Sequence, residues 1–308
     1  MFDKENTLYV EKYRPKTLEQ YVCSEGFYNI FNQYVSNQDI PHLLLYGEAG
    51  GGKTTIAKIL VESIDCDHIY INASDENNVD TVRDKIKSFA SSIGFRDLKF
   101  VILDEAEYLT PNAQAALRNL METYSTHTRF ILTCNYVQKV IDPIQSRCQS
   151  FNIVPPSKPE VAKFLVDILG KEEIQFNNED LVTIINNNYP DIRRMVNTCQ
   201  RLSVSGTLKM EKIDLIESHV TDTVMNILKS NTPSNTKYKE IRKIISENQM
   251  KDFSSFYKVF YDECDSLFND PCSAILDIAE YQYKSAFAID PEINVMALIV
   301  KLFDNIRK

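Results

Sequence analysis

The chain has 308 residues, 44% of them hydrophobic, and its 34 Lys+Arg against 43 Asp+Glu give a formal charge of −9. That length and apolar content exclude a disordered tail and point to two or three packed units. The acidic balance excludes a protein that coats nucleic acid through its whole surface, while leaving room for a local basic track.

No run of about eighteen uncharged apolar residues occurs, and the opening MFDKENTLYV is acidic and polar where an export signal is basic and then apolar. A soluble, unexported protein without a membrane partner is expected. The cysteines at 23, 66, 134, 148, 199, 264 and 272 form no CxxC pair and have no histidine cluster nearby. Buried reduced thiols are expected, not a zinc knuckle or a disulfide framework.

Between Pro41 and Phe151 short β-rich runs alternate with helical stretches: HLLLY at 42–46, HIYIN at 68–72, KFVILD at 99–104 and RFILTC at 129–134. This alternation is the signal of a parallel α/β sheet. Val79, Val82, Ile86, Phe89 and Ala90 recur with helical period, predicting a helix over about 78–93. Thr110 before Pro111 reads as an N-cap followed by proline at the first helical position.

After Ile153 the prolines of VPPSKPE mark a boundary, and Ser157 with Glu160 makes a capping box that opens the next helix. Helices are predicted near 157–169, 178–187 and 190–203, with a Ser/Gly break at 203–207 and a second boundary between about 205 and 235. The polar linker SNTPSNTKY and the helix start at Asp290, Pro291 and Glu292 belong to a final bundle rich in Phe, Tyr and Ile. The Asn77–Asn78 pair and the run 186–188 read as caps and turns.

Directly after the first strand comes GEAGGGKT, which matches GxxxxGKT with Gly47, Gly52, Lys53 and Thr54 and is followed by a helical segment. Glycines let backbone amides curl around phosphates, and a helix N-terminus places partial positive charge there. A lysine reaches the β- and γ-phosphates, and a hydroxyl serves Mg²⁺.

Asp104 ends an apolar strand, expected beside the end of the P-loop strand, and Glu105 follows it; the first can hold a metal's water shell and the second can activate water. Two acids at a strand end also serve as a helix cap, but beside a P-loop they favour hydrolysis over transfer. Asn135, at the end of RFILTC, can orient water or cap a turn. Arg147 in DPIQSRC and the adjacent Arg193 and Arg194 read either as site residues or as solvated charges.

Together VEKYRPKTL at 10–18, GEAGGGKTT at 47–55, INASDE at 71–76, LDEAEYLT at 103–110, AQAALRNLMETYS at 113–125 and CNYVQKVIDPIQSRC at 134–148 resemble replication factor C small subunits. These are sliding-clamp loader ATPases of the AAA+ superfamily, and the T4-like phage clamp loader has the same motif order. The resemblance covers the first 200 residues; beyond them it rests on length and helical content.

The resemblance implies an α/β P-loop AAA+ ATPase domain with a parallel sheet at 1–153, a helical lid at 154–222 and an all-α collar at 223–308. The implied cofactors are ATP and Mg²⁺. In the implied site Lys53, Thr54 and Asp104 serve phosphate and Mg²⁺, Glu105 is the base and Asn135 the first sensor. Arg193 is the second sensor, and Arg147 is an arginine finger acting in trans.

By the same resemblance Val10, Glu11, Lys12, Tyr13, Arg14, Pro15 and Val22 wrap the adenine. Gly47, Glu48, Ala49, Gly50, Gly51, Gly52 and Thr55 complete the phosphate loop. Asn72 restrains Glu105 until DNA arrives. Arg83 and Lys87, four residues apart on one helix face, track DNA, though by pattern alone they read as an ordinary solvated face. Tyr108, Leu109 and Gln114 touch the clamp.

The P-loop departs from the family's more frequent proline and GTGKT ending, and Asp191 follows Pro190 where many relatives have glycine. The implied partners are other clamp loader subunits in a hetero-pentamer with several copies of this chain, the sliding clamp and primer-template DNA. The implied compartment is the cytoplasm, of a host if the source is a phage, or the nucleus if it is eukaryotic. Two further readings stand beside clamp loading: another AAA+ DNA motor for branch migration or helicase loading, and a non-hydrolysing scaffold subunit.

Overall fold

Strands β1 (Leu43–Tyr46), β2 (Asp67–Asn72), β3 (Lys99–Asp104), β4 (Thr128–Cys134) and β5 (Gln149–Asn152) form one all-parallel sheet in the order β2-β3-β4-β1-β5 in the computed structural model. The structure describes residues 8–76, 79–210, 212–248, 250 and 253–307. Residues 1–7 of the opening run, the Asn77–Asn78 pair and the side chains of Asp80 and Val82 lie outside the described residues. The chain divides into two compact units, Met1–Lys209 and Met210–Lys308.

The first unit follows from strands apolar on both faces, which a parallel sheet needs because helices cover both of its sides. Helices α1 (Tyr9–Lys12), α2 (Glu25–Asn37), α3 (Lys53–Ser63), α4 (Val79–Ser91), α5 (Pro111–Thr123) and α6 (Asp142–Gln145) accompany the sheet. Leu43, Leu45 and Ile102 point to one face and pack with Phe31 of α2 and with Ile56 and Leu60 of α3. Leu44, Val101 and Leu103 point to the other and pack with Ile86 of α4 and Leu117 of α5. Thr110 accepts the Ala113 N–H and so caps α5.

Two features of the sheet differ from the sequence reading. The four expected strands are present, and a fifth, β5, is added at the edge; its QSFN is largely exposed and carries no apolar run. More important, β3 does not lie beside β1. Strand β4 stands between them, with Ile131 level with Leu43 on one side and Ile102 on the other. The reach from the P-loop to Asp104 therefore passes the end of β4.

Helices α7 (Lys158–Lys171), α8 (Asn178–Asn188) and α9 (Ile192–Leu202) complete the first unit. Val161, Leu165, Leu181, Ile184, Met195 and Val196 bury their facing stripes. Both halves of the Ser157–Glu160 capping box are made.

The second unit consists of α10 (Lys212–Lys229), α11 (Ser234–Glu247), α12 (Ser254–Asp262), α13 (Cys264–Leu267), α14 (Pro271–Ser285) and α15 (Pro291–Leu302). Its core is built around Phe256, Phe260, Phe268 and Leu298. The cysteines are free, and Cys134, Cys199 and Cys264 are buried as expected, whereas Cys272 is exposed. Among the described residues no helix is long and apolar enough to cross a membrane.

Removing the Ser157 hydroxyl deletes half of the α7 capping box. Ser157→Ala is therefore expected to destabilise the first unit by about 1 kcal/mol, read as a lower urea midpoint; an unmoved midpoint would contradict this role for the box.

Candidate nucleotide site

The turn after β1 is shaped by glycines with positive φ, +143° at Gly47, +74° at Gly50 and +96° at Gly52. At Gly50 a Cβ would come within 2.0 Å of the Asp191 carboxylate, and at Gly52 within 2.9 Å of the Tyr21 hydroxyl. Only glycine allows this path. The turn ends at the first residue of α3, Lys53, where the first backbone N–H groups of a helix have no intrahelical partners and can face an anion.

Lys53 is 8% exposed. Its Nζ donates to Gly47 O at 2.9 Å, to Glu48 O at 2.8 Å and to Asn135 Oδ1 at 2.8 Å. Burial holds its pKa below the usual lysine value, and the Glu107 carboxylate acts in the opposite direction. Gly47 and Glu48 thus serve the site through their carbonyls.

Asp104, at the end of β3, is surrounded by hydroxyls. Thr54 Oγ1 donates to its Oδ1 at 2.8 Å, the Thr133 hydroxyl donates to the same oxygen, and Tyr70 OH donates to Oδ2 at 2.5 Å. Burial first, then this bond to Asp104, push the Tyr70 phenol upward. Glu105 follows with φ +56°, left-handed backbone that is uncommon outside glycine, and its N–H donates to Thr133 Oγ1 at 3.1 Å.

The adjacent hydroxyl and carboxylate oxygens of Thr54 and Asp104 are hard donors of the kind Mg²⁺ takes alongside substrate phosphates. Among the described residues no three His, Cys, Asp or Glu side chains gather into an all-protein metal cage. The Thr54 and Asp104 oxygens, 2.8 Å apart, fit a nucleotide-borne Mg²⁺.

A cavity opens over this cluster, and Val10, Tyr13, Arg14, Pro15 and Val22 line its other wall, together with Ala49 to Thr55, Asp104, Glu105, Asn135 and Arg193. Two residues of the expected adenine segment do not line it. Glu11 turns to Arg14 at 2.6 Å and Lys12 to Glu172 at 2.8 Å, so both are used in ion pairs. Tyr13 also donates to Glu172, and its phenol is pushed up to about 12 by burial and by that bond. Tyr9 N–H donates to Gln200 Oε1 at 3.0 Å, so α1 is tied to α9 as well as to the end of α7.

Other expected residues lie outside the cavity. Arg147 bonds Glu122 of α5 and, at 2.6 Å, Pro143 O. Arg83 and Lys87 are exposed on α4, with Arg83 3.5 Å from Asp84. Tyr108 is 53% exposed, but Leu109 and Gln114 are each 3% exposed. Gln114 is consumed internally: it donates to Leu109 O and Lys139 O and accepts from Ile141 N–H. Of the three, Tyr108 alone is exposed. Asn72 bonds Ser74 and Asp75 within its own turn, not Glu105.

Sequence reasoning missed Thr133, Tyr70, Tyr21 and Glu107. Thr133 had a local signal, a hydroxyl residue inside an apolar strand. Tyr70 and Tyr21 had none, because their partners Asp104 and Gly52 are brought close only by the fold. Glu107, two residues beyond Glu105, accepts the Asn135 N–H at 2.8 Å while 8% exposed.

Residues 43–156 match the model of the ATPase family associated with various cellular activities (AAA). The chain is 35% identical over 292 residues to the replication factor C small subunit of Natronomonas pharaonis, covering 92% of this chain and 84% of that protein. It is 37% identical over 217 residues to the replication factor C small subunit of Sulfolobus acidocaldarius, covering 68% and 67%. With the replication factor C small subunit of Archaeoglobus fulgidus it shares 42% identity over 206 residues, 65% of each chain.

Gly50→Ala meets both a positive φ and the Asp191 carboxylate. It is expected to weaken ATP binding about tenfold or more, and adding Asp191→Ala restores part of the affinity by removing the clash alone. Fluorescent-nucleotide titration checks this; an unchanged affinity for Gly50→Ala would contradict the close approach.

Proposed function

The chain belongs to the replication factor C small-subunit family, and on that footing we propose that it is an ATP-hydrolysing subunit of a clamp loader. ATP binding closes neighbouring subunits around an open sliding clamp and primer-template DNA, and hydrolysis releases them. The observation that carries this reading is the convergence of Lys53, Thr54, Asp104 and Asn135 on one P-loop, joined in two pairs, Lys53 with Asn135 and Thr54 with Asp104, by bonds of 2.8 Å.

In this reading Lys53 exchanges its carbonyl and Asn135 partners for the β- and γ-phosphates, and the α3 N-terminus adds backbone donors. Thr54 and Asp104 would hold Mg²⁺, which would neutralise the charge that develops on the phosphates. Glu105 accepts the proton of the attacking water, its backbone fixed through Thr133. Asn135 orients that water, and Arg193 approaches the phosphates from the cavity wall.

Arg147 lies outside the cavity of its own chain. That supports a role in a neighbouring subunit's site, where such a finger contributes roughly 10³ to 10⁵ in rate. Helix α4 presents Arg83 and Lys87 to template phosphates, and Tyr108 contacts the clamp. The functional division proposed is an ATPase domain at 1–153, a lid at 154–222 and a collar at 223–308 that joins subunits into a five-membered ring segment, with more than one copy of this chain.

The test is steady-state ATP hydrolysis by the chain assembled with its partner subunit, with and without clamp and primer-template DNA. Clamp and DNA together are expected to stimulate turnover, with Glu105→Gln and Arg147→Ala each reducing it by at least about a hundredfold. Stimulation by DNA indifferent to any clamp would replace this reading with that of a DNA motor, and no turnover under any combination with that of a scaffold.

A further inference from the structure

Glu107 is a buried carboxyl group without a role in the phosphate, metal or water chemistry above. It sits in the short turn Ala106–Tyr108 that follows β3 and is 8% exposed. Its Oε1 accepts the Asn135 N–H at 2.8 Å, and its Oε2 is buried with no hydrogen-bond partner. An acceptor left unpaired in the interior costs free energy, so packing alone does not account for the residue.

Its surroundings point to the nucleotide site. Asn135 is the residue just beyond β4, where the strand ends at Cys134 and its ladder stops. Its N–H lies just past the strand, and Glu107 takes it. The Asn135 side chain is held from the other end by Lys53 Nζ at 2.8 Å. The charge of Glu107 also reaches Lys53, acting against the lowering by burial, and the Cys134 thiol, which burial and Glu107 push up to about 12.

Asn135 thus has two anchors of different kinds. The Lys53 anchor is one for which a γ-phosphate competes, because the same ammonium must turn to the anion. The Glu107 anchor is intramolecular, buried and untouched by that exchange. When Lys53 leaves, the Glu107 bond still holds the Asn135 backbone, and with it the side-chain amide, towards the terminal phosphate.

We propose that Glu107 is a positioning residue that holds Asn135 in place when Lys53 engages nucleotide, so that the site distinguishes a nucleoside triphosphate from a diphosphate. This rests on the nucleotide-site reading above and adds to it the residue responsible for discrimination. ADP lacks the γ-phosphate that Asn135 would contact, and its binding depends on the P-loop and the adenine wall. Loss of Glu107 therefore weakens triphosphate binding selectively.

The experiment compares ATPγS and ADP affinities of the full chain, by titration in Mg²⁺, for the parent, Glu107→Ala and Glu107→Gln, with thermal midpoints beside them. The parent is expected to prefer ATPγS. Glu107→Ala is expected to lower that preference about tenfold, equivalent to about 1.4 kcal/mol, with ADP affinity changed by less than about threefold. Glu107→Gln keeps a side-chain oxygen for the Asn135 N–H and is expected to recover most of the preference.

Equal weakening of both nucleotides with a lowered midpoint would reduce Glu107 to a packing residue and overturn the proposal, as would Glu107→Gln failing like Glu107→Ala. If Glu107→Ala does not fold, Glu107→Asp, one methylene too short for the same reach, takes its place with the same expected loss. A parent that binds neither nucleotide would remove the site reading itself and the proposal with it. A parent that binds both, with the preference intact in Glu107→Ala, would overturn the proposal alone.

Discussion

The constraint on which the first unit turns is the burial of one ammonium group. A lysine taken out of water has to be surrounded by acceptors or it gives up its proton, and Lys53 meets that demand with two P-loop carbonyls and the side chain of Asn135. These contacts join the P-loop to the end of β4. They also leave the ammonium with partners that an anion can replace, which is what a phosphate site requires. The position of β4 between β1 and β3 follows the same logic: only a strand in that place can carry both Asn135 towards Lys53 and Thr133 towards Asp104.

Around that centre the chain closes from two directions. Helix α1 is bound to α9 and to the end of α7 through Tyr9, Lys12 and Tyr13, with Glu172 serving two of those contacts. Asp191 caps α9 and lies against Gly50. The wall formed by Val10, Tyr13, Arg14 and Pro15, the P-loop and α9 are therefore neighbours by construction and line one cavity. Surface ion pairs such as Lys12 with Glu172 are individually weak in water, so this closure can yield to a ligand that offers charge-assisted hydrogen bonds.

The sequence made legible whatever is encoded locally. The P-loop pattern, the N-cap at Thr110, the capping box at Ser157 and the apolar strand runs each lie within a few residues and carry their own physical signature. Contacts between distant segments had no such signature. Tyr70 and Asp104 are thirty-four residues apart in sequence and meet because β2 and β3 pair in parallel. The edge strand β5 lacks an apolar run, since one flank and much of its surface face solvent. Burial of Leu109 and Gln114 likewise depends on Lys139 and Ile141, which fold back over α5. A family motif locates such residues without saying whether they face a partner or the core.

The central claim is that Lys53 is held ready for a phosphate rather than as part of the core. Calorimetric titration of Mg·ATP into the parent chain and into Lys53→Met measures this most directly, because methionine keeps an unbranched apolar side chain in the same space. Saturable binding by the parent, lost by at least about a hundredfold in a Lys53→Met chain whose thermal midpoint is not lowered, is the predicted result. Equal affinities in the two chains, or a midpoint that collapses while nucleotide still binds, would contradict it.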